Sequence, residues 1–261
     1  MKTTYLLKGV LLSAVFATTQ AMAAPVEVDL ELVLAVDVSG SVSTAEYNGQ
    51  RNGYIAAFND AAVQGAIFDT DGGNRLGKIA VTYVEWDGGQ ETQIGWTLIS
   101  NATQAVDFAD AIAAADRSGS GLTGIGSAVD FSTGLFSFND PTNAAFTGAR
   151  QVIDVSGDGE RNTGSDPVTA RNNALAAGVD AINGIAIGSE SLRQYYENNV
   201  IGGDGSFALL ATNFEDSFTA GIKKKLFFEV TGTTPVPEPA TLGLLGLGMM
   251  GLFLRRRKMA A

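Results

Sequence analysis

The apolar run Leu32-Val33-Leu34-Ala35-Val36 breaks off into Asp37-Val38-Ser39-Gly40-Ser41-Val42-Ser43. This junction restricts the fold class. An unbroken apolar segment of strand length reads as a strand buried on both faces, the condition of a parallel sheet covered by helices. The polar cluster behind it reads as the turn beyond the strand's carboxyl end, where open α/β sheets bind their ligands. Strand-like segments at Asp29 to Val36, Lys78 to Trp86, Gln90 to Thr97, Arg150 to Val155, Ala181 to Ile187 and Phe207 to Ala211 alternate with helix-like ones. The helices are expected at Thr44 to Phe68, Ala102 to Ala115, Ile125 to Phe136, Asp166 to Ala177, Glu190 to Asn198 and Asn213 to Leu226. This order predicts a doubly wound, mostly parallel α/β sheet of about six strands, with Gln90 to Thr97 returning as an antiparallel hairpin through Asp87-Gly88-Gly89.

The turn after the first strand carries one carboxylate and two hydroxyls at alternate positions, Asp37, Ser39 and Ser41, whose oxygens can converge if the loop curls. Oxygen ligands alone, with few charges, outline a site for a hard cation. Taken by itself, this D-x-S-x-S pattern is better explained by capping, in which the side chains accept backbone N–H bonds at a helix start. Two later segments answer it. Thr123 stands in the glycine-rich turn Gly119-Ser120-Gly121-Leu122-Thr123-Gly124 ahead of an amphipathic helix, and Val152-Ile153-Asp154-Val155-Ser156-Gly157-Asp158-Gly159 is a second apolar strand running into Asp158. The capping box Ser43-Thr44-Ala45-Glu46 would fix the direction in which the loop hydroxyls point.

Together these segments resemble a von Willebrand factor A domain with a metal-ion-dependent adhesion site. The resemblance spans roughly Val28 to Val230 and implies the Rossmann-like fold of that family. It also implies that Ser39, Ser41 and Thr123 offer hydroxyl oxygens to Mg²⁺ or Mn²⁺, with Ca²⁺ a further option, while Asp37 and Asp158 hold the ion directly or through water. Val81 to Trp86, Val152 to Gly159 and Tyr195-Tyr196-Glu197-Asn198-Asn199-Val200-Ile201-Gly202-Gly203 resemble, more narrowly, a bacterial subfamily of such domains without an assigned function. An ion held by two carboxylates and several hydroxyls stays Lewis acidic, and an open coordination position can take an acidic side chain from a partner.

The chain has no cysteine and no histidine, which excludes Cys- or His-based zinc sites, thiol nucleophiles and Ser-His-Asp triads. Residues 1–23, with Lys2 and Lys8, an apolar stretch and Ala21-Met22-Ala23, read as a signal peptide for signal peptidase. At the other end, the linker 231–239 carries Pro235-Val236-Pro237-Glu238-Pro239, residues 240–254 are mainly apolar, and 255–261 open with Arg255-Arg256-Arg257-Lys258 as a basic cytoplasmic tail. At 1.5 Å per residue the apolar part reaches about 22 Å, short of the roughly 30 Å of bilayer hydrocarbon. This tail resembles the PEP-CTERM signal of Gram-negative bacteria, which implies processing by a membrane-bound exosortase and at least transient membrane contact; an uncut anchor is the alternative. Export to the cell surface or extracellular space follows. Removing Lys2, Lys8, Arg255, Arg256, Arg257 and Lys258 from 17 basic residues, against 28 acidic ones, leaves a net charge of about −17. Such a surface repels nucleic acid.

Competing patterns are weaker. Gly119 to Gly124 satisfies G-x-G-x-x-G but follows an Ala-rich helical run instead of a strand, so dinucleotide binding is rejected. Asp69-Thr70-Asp71-Gly72-Gly73-Asn74 hints at a calcium loop, yet Ala80 stands where the closing Glu belongs, which favours a turn. Glu85 and Asp87 could pair as glycosidase carboxylates or serve as polar strand ends; the second fits the pattern better. Tyr195 and Tyr196 read as half-buried packing, Lys223-Lys224-Lys225 as the solvated end of the last helix, and Pro141 as a loop. The expected function is a non-enzymatic, divalent-metal-dependent adhesion module that grips an acidic side chain of a protein partner or an anionic extracellular polymer. A metal-assisted hydrolase is the alternative.

Overall fold

The computed structural model describes residues 24–71, 74–136, 138 and 145–235. The signal segment 1–23, Pro141 and the tail from residue 236 lie outside the described residues. At the centre is β2 (Leu30–Asp37), all of whose residues are buried. Its side chains divide by parity, as a pleated strand requires: Leu30, Leu32, Leu34 and Val36 join one apolar cluster, Val33 and Ala35 the other. Parallel neighbours are β3 (Ile79–Trp86) on one side and β6 (Gln151–Gly157) on the other, followed by β7 (Ala181–Ile187). β4 (Gln90–Ile99) closes one edge antiparallel to β3 through the expected hairpin. At the other edge β8 (Gly202–Gly203) and β9 (Ala208–Ala211) share β7, antiparallel and parallel respectively, so the sheet has seven strands. A separate two-stranded parallel sheet, β1 (Val26–Val28) with β5 (Phe146–Gly148), had no signal in the sequence.

Helices α1 (Thr44–Phe58), α2 (Ala61–Phe68), α3 (Ala102–Ala114) and α7 (Asp216–Thr231) pack their buried residues into the first cluster. Helices α4 (Ile125–Leu135), α5 (Pro167–Ala177) and α6 (Glu190–Asn199) pack into the second. The doubly wound expectation holds.

Two helix expectations need correction. The segment Thr44 to Phe68 is two helices, because Asn59 caps α1 and the Asp60 carboxylate accepts from the Ala62 and Val63 amides to start α2. The three lysines are not a solvated helix end: α7 continues to Thr231, and Lys225 is fully buried. Lys225 Nζ lies 2.5 Å from Asp154 Oδ1 on β6 and 2.8 Å from Glu229 Oε1, and Asn183 Nδ2 on β7 donates to that same Glu229 oxygen at 2.9 Å. Burial pushes the Asp154 carboxyl up to about 7; the Lys225 charge opposes the rise and the Glu229 charge adds to it.

Removing the only cation of this cluster leaves two buried carboxylates facing an apolar core. Lys225→Met is expected to lower unfolding free energy by about 3 kcal/mol or more at pH 8, and by less at pH 5, where Asp154 takes up a proton. Urea midpoints at the two pH values check this.

Candidate metal centre

Three loops meet at the carboxyl ends of β2 and β6. The first leaves β2 at Asp37, whose carboxylate is buried; its Oδ1 accepts from the Ser39 amide at 2.8 Å, and its main-chain carbonyl accepts from Gln50 Nε2 at 2.9 Å. The loop turns so that Ser39 Oγ and Ser41 Oγ lie 3.1 Å apart, and Ser41 Oγ donates to Asp158 Oδ1 at 2.6 Å. Asp37, Ser39, Ser41 and Asp158 are therefore linked in one chain of contacts. The expected capping box is present at Ser43 and Glu46, and it aligns α1 under this loop.

Thr123 stands in the second loop, residues 115–124, and is held by the third, residues 158–166, which follows β6. Its amide donates to Asn162 Oδ1 at 2.8 Å, its carbonyl accepts from the Asn162 and Thr163 amides, and a Cβ on Gly159 would lie 3.5 Å from its hydroxyl. The second and third loops thus lock together around the threonine. The first and third loops bring Asp37, Ser39, Ser41 and Asp158 together, while Thr123 lies beside Gly159, its hydroxyl accepting from Asn162 Nδ2 at 3.4 Å. Among the described residues no group of three or more Asp, Glu, His or Cys side chains is placed to hold a metal ion; the loops bring together two carboxylates, Asp37 and Asp158, with the hydroxyls of Ser39 and Ser41. A set of hydroxyl and carboxylate oxygens with so few charges fits a divalent cation that retains other ligands.

The electrostatics are those of carboxylates crowded without a counter-charge. Burial pushes the Asp37 carboxyl up to about 7; hydrogen bonds from Ser39 oppose the rise, the Asp158 charge adds to it, and the nearby Asp158 amide opposes it more weakly. Asp158 is also raised, first by burial, with the Ser41 hydrogen bond opposing and the Glu46 charge contributing. Asp37 Oδ2 is buried with no hydrogen-bond partner. An acceptor in that position is what a bound cation would satisfy.

Sequence reasoning missed the braces. Arg117 holds the first loop to the second: its Nη2 donates to the carbonyls of Val38, Ser39 and Val42 at 2.7–3.0 Å, and its Nε donates to Gly119 O at 2.7 Å. The only sequence signal was a lone arginine opening a Ser/Gly-rich loop. Glu85 and Asp87 are also braces: Glu85 accepts from the Tyr47 hydroxyl and the Ser118 amide, and Asp87 accepts from the amides of Gly89 and Gly121. A Cβ at Gly119 would lie 2.3 Å from Asp87 Oδ2, so the glycine is required for this contact. The calcium-loop hint also resolves toward a turn, since the Asp69 carboxylate accepts from the Asp71 amide and faces Arg75, although Gly72 and Gly73 lie outside the described residues.

A sequence-family profile described as "Protein of unknown function (DUF1194)" matches residues 27–234. The chain belongs to this family. A second profile, the PEP-CTERM protein-sorting motif, matches residues 235–258, and no curated protein matches the chain. Among solved structures it is similar to proximal thread matrix protein 1 from the mussel byssus "with zinc occupied MIDAS motif", at 17% identity and TM-score 0.59, covering 80% of this chain and 50% of that one. It is similar to the pilus adhesin SpaC from Lactobacillus rhamnosus GG (14%, TM-score 0.54, 82% and 31% covered) and to a von Willebrand factor type A protein from Catenulispora acidiphila (12%, TM-score 0.50, 78% and 42% covered). This DUF1194 chain spans half or less of each of them, and the likeness establishes the von Willebrand factor A fold. Its sorting motif implies exosortase-dependent export. Among the described residues no helix is long and apolar enough to cross a membrane, and the apolar segment 240–254 lies outside them.

Two outcomes follow from the geometry. The Asp37 carboxyl of the folded protein stands above its ordinary value of 3.8, so between that value and about 7 the folded state binds more protons than the unfolded one. In EDTA, stability should therefore fall as pH rises through that window. Asp37→Asn keeps an acceptor for the Ser39 amide and should raise the melting temperature at pH 8 by about 3 °C or more, while Asp154 preserves part of the slope; melts at pH 5 and 8 decide it. Arg117→Lys keeps the charge but cannot reach four carbonyls at once, and the Gly40 amide, which donates to Gly121 O at 2.7 Å, should exchange with solvent faster than in wild type.

Proposed function

We propose that this exported domain is a divalent-metal-dependent binding module. Asp37, Ser39, Ser41, Thr123 and Asp158 would hold Mg²⁺ or Mn²⁺, with Ca²⁺ a further option, and the ion would take an acidic side chain of a protein partner or an anionic extracellular polymer. The observation carrying this reading is the buried, unpartnered Asp37 Oδ2 beside a hydroxyl-linked Asp158. A protein without a cation ligand would gain stability by replacing that carboxylate with an uncharged group. The mussel byssus protein of similar fold has a zinc-occupied MIDAS motif, which supports the metal reading. The surroundings also suit a docked chain: a cavity of about 380 Å³, bordered by Glu46, Ile187, Phe214 and Glu215, opens on the α1 side of the loops.

The hydrolase alternative needs a positioned general base within reach of the ion. The chain has no histidine, and the neighbouring carboxylates Glu85 and Asp87 already accept hydrogen bonds from the loops they brace. Those facts favour the binding module. In this reading the signal segment and the sorting tail are removed on export, by signal peptidase and exosortase, leaving the domain at the cell surface or in the surrounding matrix.

Calorimetry with Mg²⁺ and Mn²⁺ should show saturable binding in wild type and a raised melting temperature, both absent in Asp158→Ala. Equal, negligible binding in the two proteins would sink the metal reading. Capture of an acidic partner should be reversed by EDTA and abolished by Asp37→Ala; an ion-dependent hydrolytic activity lost in that variant would favour the enzyme instead.

A further inference from the structure

Helix α6 turns Leu192 and Tyr196, one helical turn apart, toward the sheet, and Tyr196 is fully buried. The sequence reading of Tyr196 as half-buried packing explains the ring and leaves out the hydroxyl. Two glycines on adjacent strands open the slot that the side chain fills. A Cβ on Gly184 of β7 would lie 2.7 Å from the ring edge, and a Cβ on Gly157 of β6 would lie 2.6 Å from the hydroxyl oxygen. The hydroxyl has no hydrogen-bond partner. Phenylalanine would fill the same slot without burying an unpaired polar atom, so the hydroxyl needs a reason of its own.

The reason lies beside the same Gly157 position. The same Cβ position lies 2.7 Å from Asp37 Oδ2, the other unpartnered oxygen. These two buried oxygens therefore lie within about 5.3 Å of each other (2.6 Å plus 2.7 Å at most), no hydrogen bond joins them, and a single water set off from Gly157 can reach both. Tyr195, its neighbour in sequence, is turned differently: its hydroxyl accepts from the Arg161 amide in the third loop.

We infer that Tyr196 is a positioning residue of the cation site, its hydroxyl acting through one water to hold Asp37 Oδ2 toward the ion. The inference rests on the metal-binding reading above. Groups that orient a metal ligand from behind typically change affinity by about 10–100-fold when removed. Tyr196→Phe should therefore bind Mn²⁺ about tenfold more weakly than wild type in calorimetry. Its melting temperature in EDTA should equal or exceed that of wild type, since only an unpaired hydroxyl is lost. The electron paramagnetic spectrum of bound Mn²⁺, sensitive to ligand symmetry, should differ between the two proteins. Leu192→Ala, which loosens the same helix face without touching the hydroxyl, measures any affinity lost through packing alone. Affinity of Tyr196→Phe within twofold of wild type, or a loss matched by Leu192→Ala, would overturn the inference and leave the metal site standing. Absence of Mn²⁺ binding by wild type would remove the metal reading, and this inference with it.

Discussion

The burial of Asp37 at the end of the central strand governs the geometry of the whole upper face of the sheet. β2 is buried from its first residue to its last, so its final side chain enters the interior while the chain is already turning. A carboxylate there loses hydration, and only one of its oxygens regains a partner, from the amide two residues on. The immediate surroundings accommodate that cost. Gln50 takes up the main-chain carbonyl of Asp37, and Gly157 on the neighbouring strand leaves out the side chain that would collide with Oδ2. A cation at this point would reverse the sign of the problem, turning an unfavourable buried charge into a ligand.

A site made of weak ligands depends on preorganisation. Hydroxyls bring no charge, so their contribution relies on being held in place before the ion arrives. The loops achieve this largely with side chain to backbone hydrogen bonds: Arg117 gathers three carbonyls of the first loop and one of the second, Asp87 takes amides of the hairpin turn and the second loop, and Asn162 binds the main chain of Thr123. Glycines in the second loop permit the close approach of Asp87. The acidic residues that looked like catalytic candidates thus serve the rigidity of the ligand loops.

What could be read from sequence follows from range. β2 was legible because its core is an unbroken apolar run, β6 and β7 because apolar residues predominate in them despite Asp154 and Asn183, and the five candidate residues because each lies at or just beyond the end of a strand or ahead of a helix. The break at Asn59-Asp60 was not, since apolar residues continue across it and Asp60 is further held by Lys223 from α7, at 3.0 Å. Lys225 was misread for the same reason: its partner Asp154 sits inside an apolar strand where a carboxylate looks incidental, and only the packing of α7 across β6 joins them. Arg117 and Tyr196 act through contacts that no local pattern encodes. The paired strands β1 and β5 are three residues each, too short for a periodicity to register.

Charge connects the site to the role proposed for it. With about 17 negative charges in excess once the signal segment and sorting tail are removed as proposed, the surface would repel any acidic partner that approaches without an intermediary, and the approach to Asp158 carries the further negative charge of Glu46. Hydrogen bonding by Ser39, Ser41 and Thr123 cannot overcome that repulsion, because neutral hydroxyls offer little to a solvated carboxylate. A divalent ion would cancel the charge of Asp37 and Asp158 and offer an acid a direct coordination position, while the rest of the domain stays anionic. In the proposed role, recognition of an acid would therefore be conditional on the ion, and anions meeting other parts of the surface would still be turned away. Specificity then comes from the repulsive background as much as from the attractive centre.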